Sequence, residues 1–157
     1  MTADVDGGFR MRAVILLLAV LGLAPGANAG EITEVTADRP AWRQVPLKRV
    51  PTARELVALR IGVREESFYG TRHILVDVPA GPAFVAQIMR DPKAPPADDG
   101  ILWFDAAVPA HAFNSTRPDL KLRFLMDEGC KPGEAVPTDR GPVQVTDVRA
   151  ELESIGP

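Results

Sequence analysis

The feature that most constrains this chain is a strict alternation of side-chain character in short runs bounded by glycine and proline. In Leu56 to Arg64, Val57, Leu59, Ile61 and Val63 alternate with Ala58, Arg60, Gly62 and Arg64. A period of two sends neighbouring side chains to opposite faces, so this run predicts a half-buried strand. Asp119 to Asp127 is as clean, with Leu120, Leu122, Phe124 and Met126 on one face and Lys121, Arg123 and Leu125 on the other. Arg72 to Val78 sets Ile74, Val76 and Val78 against His73, Leu75 and Asp77. Phe84 to Arg90 reads as a strand, with a helix as the alternative. Ile101 to Ala107 is apolar on both faces, as in a strand covered on each side. Val143 to Leu152 alternates, slips near Asp147 and resumes, which is the mark of a β-bulge.

Two weaker runs precede these. Glu31 to Ala37 has Ile32 and Val35 as apolar points. Trp42, Val45, Leu47 and Val50 lie between Pro40, Pro46 and Pro51. Proline cannot donate to a central ladder, so this second run predicts an edge strand or extended arm. No segment offers a capped amphipathic helix of three turns. Glu65 to Thr71 has hairpin character, Pro79-Ala80-Gly81-Pro82 is a turn, and residues 91–100 and 128–142 form loops. Regularly spaced short strands with such punctuation predict an all-β, antiparallel β-sandwich of jelly-roll type. No internal repeat of fixed period is present.

The first 29 residues read differently. Arg10 and Arg12 precede an apolar run from Ala13 to Leu23, then Pro25, Gly26 and the tripeptide Ala27-Asn28-Ala29. Basic end, apolar middle and small-residue cut site are the parts of a secretory signal peptide. The apolar run is too short to span about 30 Å of hydrocarbon as a lasting anchor. Met11 can serve as the true start, and cleavage after Ala29 would leave residues 30–157 as a single domain. The expected location is periplasmic or secreted, with no membrane span in the mature form.

A net charge of −3 gives no basic face for nucleic acid. The single cysteine, Cys130, cannot form a disulfide within its own chain. It reads as an ordinary thiol, with a reactive or intermolecular role as the alternative.

Gly141 to Leu152 resembles the closing strand of galactose-binding-like jelly rolls, among them many carbohydrate-binding modules. Leu120 to Met126 is similar to the strand before it. Asp147 stands alone where many members carry two aspartates. The resemblance covers about a fifth of the chain and implies a jelly-roll fold; a fold alone does not imply a function.

Candidate chemistry is sparse. Phe68 and Tyr69 sit beside Gly70 where polar turn residues are expected. As exposed aromatics they would stack on sugar rings or anchor a protein. The alternative folds Phe68 into the core and leaves Tyr69 outside. Asp98 and Asp99 in one loop, with Asp127 and Glu128 at another, would hold a structural calcium if the loops met at one end. Their spacing is not that of a calcium loop, and solvated acidic loops are the plainer reading. Asp105 and Glu128 could be read as the carboxylate pair of a glycosidase, which needs a defined separation across a cleft. His73 and Asp77, about 13 Å apart along one strand, cannot form a dyad. His111 has no ligand-type spacing to a partner. Trp42 and Trp103 read as core residues. Asn114-Ser115-Thr116 is a glycosylation-type sequon that reads as a polar loop. No catalytic residue and no cofactor is assigned.

The expectation is therefore an exported, non-catalytic binding or accessory domain of the cell envelope, with carbohydrate or an envelope protein as partner. The alternatives are a small periplasmic hydrolase with a site assembled from distant residues, and a structural subunit of an envelope complex.

Overall fold

The structure is a computed structural model that describes residues 31–79, 83–113, 116–129, 133–134 and 141–156. The side chains of residues 83, 84 and 112 lie outside that description. So do residues 1–30, which include the expected signal peptide, most of the turn at Pro79–Pro82, Asn114, Ser115 and Cys130.

Eight strands form: β1 (Thr33–Val35), β2 (Ala41–Pro46), β3 (Glu55–Arg64), β4 (His73–Val78), β5 (Ala83–Met89), β6 (Ile101–Pro109), β7 (Asp119–Asp127) and β8 (Val143–Ser154). Two 3-10 turns, Glu65–Ser67 and Ala110–Ala112, are the only helical pieces among the described residues. None of the described helices is long and apolar enough to cross a membrane.

One sheet has the order β1-β8-β3-β6 and the other β2-β7-β4-β5, all antiparallel. The pairs β1·β8, β2·β7, β3·β6 and β4·β5 are nested, as in one long hairpin with its tip between β4 and β5. Rolling that hairpin so that β3 meets β8 and β4 meets β7 closes the two sheets on each other. This is the eight-stranded jelly roll, an antiparallel sandwich.

Alternation explains which faces meet. Val57, Leu59, Ile61 and Val63 from β3 pack against Leu120, Leu122 and Phe124 from β7 and Ile74 and Val76 from β4, all buried. The β8 slip is a bulge: Gly62 pairs with Asp147 and Val63 with Val145, so Thr146 is the extra residue. Without it, Val143 and Val145 could not share the core face with Val148. A second irregularity lies in β5, where Val76 pairs with Ala86 and Asp77 with Phe84.

One expectation fails. Glu65 to Thr71 does not close a hairpin, because β3 and β4 belong to different sheets. The segment crosses the end of the sandwich, and that crossing decides where its aromatics go.

Candidate functional site

Antiparallel order brings the connections β1–β2, β3–β4, β5–β6 and β7–β8 to the same end of the sandwich. The β3–β4 connection organises this end. Its first residue, Glu65, forms an ion pair with Arg90 and accepts the Ala97 N–H at 2.9 Å, while its own N–H donates to Gly100 O at 2.9 Å. One carboxylate thus fastens the proline-rich β5–β6 loop. Ser67 Oγ donates to Arg64 O at 2.8 Å and accepts the Gln144 N–H at 2.9 Å, which fastens the connection to β8.

Phe68 then drops between the sheets. It is 0% exposed and meets Phe104 edge-on, with centroids 6.0 Å apart. Placing Phe68 with Tyr69 as a ligand-facing pair is therefore corrected. A chain passing from one sheet to the other must cross the open end of the core, and the apolar residue over that opening plugs it. Tyr69 stays 39% exposed.

Beneath Tyr69 lies Arg72, whose side chain is fully buried. Its Nε donates to Glu128 Oε2 at 3.0 Å and its Nη1 to Ser67 O at 3.1 Å. Its Cζ sits 4.7 Å from the Tyr69 ring centroid, a cation–π contact that supports the phenol from below. Thr71 Oγ1 donates to Glu128 O at 2.7 Å. Gly129 follows at φ +67°, and a Cβ there would lie 2.5 Å from Thr71 O. These contacts fasten Glu128 and Gly129, which follow β7, to the β3–β4 connection.

Tyr69 borders a cleft of about 520 Å³, lined also by Arg64, Glu66, Arg90, Asp99 and Ile101. Glu65 and Glu66 pair with Arg90 and Arg64, so most of the charge in the cleft is internally matched. Such a surface suits a polar ligand of low net charge.

The calcium candidates do not converge. Topology brings both of their loops to this end, yet each carboxylate is engaged or isolated. Glu128 is spent on Arg72. Asp127 accepts the Gly129 N–H and faces His73 Nε2 at 3.3 Å. Asp99 accepts the Ile101 N–H at 3.0 Å, and Asp98 is exposed. No group of three His, Cys, Asp or Glu side chains comes together among the described residues.

Asp105 and Glu128 also lie apart. Asp105 is exposed in the middle of β6 on the outer face, while Glu128 is buried at the loop end. Asp77 takes Arg123 in a two-pronged pair at 2.9 and 2.5 Å. His73 sets Nε2 3.3 Å from Asp127 Oδ2 and Nδ1 3.2 Å from Thr71 O, and the neutral ring can donate to one of the two at a time. His111 is exposed on the second 3-10 turn.

Both tryptophans face outward rather than into the core. Trp103 lies across Gly62, with Arg60 and Arg149 guanidinium groups 5.1 and 4.7 Å from its centroid. Trp42 is 44% exposed, with Lys121 Nζ 4.6 Å from its centroid. The signal for Trp103 was present: it shares parity with Asp105, and the glycine opposite it in β3 leaves room for an indole.

No family model, curated protein or solved structure matches this chain. The likeness of its closing strands to galactose-binding-like modules gains no support from them.

Proposed function

We propose that this chain is an exported, non-catalytic binding domain of the cell envelope, with its ligand end at the Tyr69 cleft and a glycan of low net charge as ligand. The observation that supports it best is Tyr69 itself. An exposed aromatic is held at the mouth of a polar cleft by a buried guanidinium and by connections fastened to one another. Holding such a ring in place before binding lowers the ordering cost of stacking on a sugar. The near-balanced charge of the cleft favours hydroxyl-rich ligands over strongly ionic ones. Location outside the cytoplasm rests on the leader-like first 29 residues.

Co-sedimentation with purified peptidoglycan and affinity electrophoresis in gels containing neutral polysaccharides would test the reading. Retention should fall about tenfold or more in Tyr69→Ala, the scale of a central aromatic contact, and survive in Tyr69→Phe. Equal retention of Tyr69→Ala and the parent would remove the cleft from consideration. Absence of retention on every glycan would remove the ligand class.

A further inference from the structure

A sandwich has four sheet edges, and they are not equivalent here. An edge strand carries unpaired N–H and C=O groups, which proteins ordinarily blunt by shortness, proline, bulges or charge. The edge at β1 is only three residues long. That at β2 carries Pro46 and turns Arg43 inward, where Nη1 donates to Glu31 O at 2.8 Å. The β5 edge contains the irregularity at Val85. The fourth, β6, runs nine residues in unbroken register against β3 and, among the described residues, pairs with no other strand. It contains no lysine, no arginine and no bulge, and its proline is the last residue.

The seam beside β6 is also incompletely covered. Leu102, Phe104 and Ala106 point toward the core but are only partly buried. In the middle of the outer face stands Asp105, exposed and without a hydrogen bond or ion pair among the described residues. Arg60, directly opposite it in β3, stacks on Trp103 instead.

We infer that β6 is a strand-addition site for an extended segment of another protein, with alternating apolar residues and a basic residue opposite Asp105. Backbone pairing supplies the recognition of an extended chain, and side chains at alternate positions supply the choice among chains. The free carboxylate selects the cation by charge complementarity. It also argues against a second copy as occupant. Two β6 strands paired along their full length about a two-fold axis would set Asp105 against itself, and like charges directly opposite are destabilising.

Calorimetric titration of the full chain would test this with two blocked peptides of about nine residues, alternating valine and threonine, that differ only in arginine or glutamate at the centre. The arginine peptide should bind about tenfold more tightly, which is roughly 1.4 kcal/mol. The preference should vanish in Asp105→Asn and reverse in Asp105→Lys. Alternate backbone N-methylation of the arginine peptide should abolish binding. Gln87→Lys, on the β5 edge, should change neither affinity. Two results would overturn the inference: no binding of the arginine peptide at about millimolar concentration, or a preference that persists in both Asp105 variants. Sedimentation showing a dimer strengthened by Asp105→Asn would assign the edge to self-pairing and overturn it as well.

Discussion

Both ends of the sandwich are tied by an arginine–glutamate pair, and the two pairs differ in what surrounds them. At the loop end, the side chains of Arg72 and Glu128 are 0% and 4% exposed. At the opposite end, Arg49 pairs with Glu55 at 54% and 11% exposure, and Thr52 adds its N–H and hydroxyl to the same carboxylate. The first pair has no water to fall back on, so each partner is obligatory to the other. The second sits at the rim, where solvent screens it. The end that carries Tyr69 is thus the one where a buried charge pair ties the β3–β4 connection to the end of β7.

The largest expected effect breaks the buried pair. Glu128→Ala should cost about 3–5 kcal/mol, because it leaves a buried guanidinium without its counter-charge. Chemical denaturation would measure it. Replacing both partners, Arg72→Leu with Glu128→Leu, should recover much of the loss; a double variant as unstable as the single one would mean packing, not charge, governs this end. Arg49→Ala should cost a small fraction of the Glu128→Ala effect.

Next comes Gly129→Ala, at about 2 kcal/mol from the left-handed backbone alone and more from the clash with Thr71 O. Gly133, at φ +86° with no described residue within 4 Å of an added Cβ, shares the backbone cost without that clash. Gly133→Ala should therefore be the milder of the two in thermal melts, and equal losses would deny that Gly129 is pressed against Thr71.

The smallest effect belongs to the exposed end and appears only in acid. Arg49, then the Thr52 backbone N–H and hydroxyl, hold the Glu55 carboxyl at about 2, down from 4.5. A lowered folded-state value means the contribution is fully present above 4.5 and is lost as pH falls toward 2. Stability measured from neutral pH downward should decline across that window, and Glu55→Gln should flatten the decline. An unchanged acid slope in Glu55→Gln would place the acid sensitivity elsewhere.

Much of the fold could be read from residue order. β7 and β3 announce themselves by alternation, and the slip at Asp147 marks the bulge that pairing with β3 requires. Of the candidate site, Tyr69 was legible as an aromatic out of place beside a glycine. Its environment was not. Arg72 and Glu128 are far apart in the chain, and neither carries a mark of burial. Trp103 was misread, and Phe68 left open between loop and core, for the same reason. A strand that is apolar on both faces, like β6, does not say which parity is inward. A segment between two strands does not say whether it turns back in one sheet or crosses to another.

Side-chain parity is a local property, set by backbone geometry within a few residues, so residue order alone determined the strands, the bulge and the all-β class. Which strands became neighbours is a long-range choice, made by closing the nested hairpin on itself. That closure carried Phe68 into the core, turned Trp103 to the outer face, buried Arg72 against Glu128 and set β6 at the edge of its sheet. Those outcomes depend on the free energy of burying surface shared by segments distant in the chain, which no short window of residues contains.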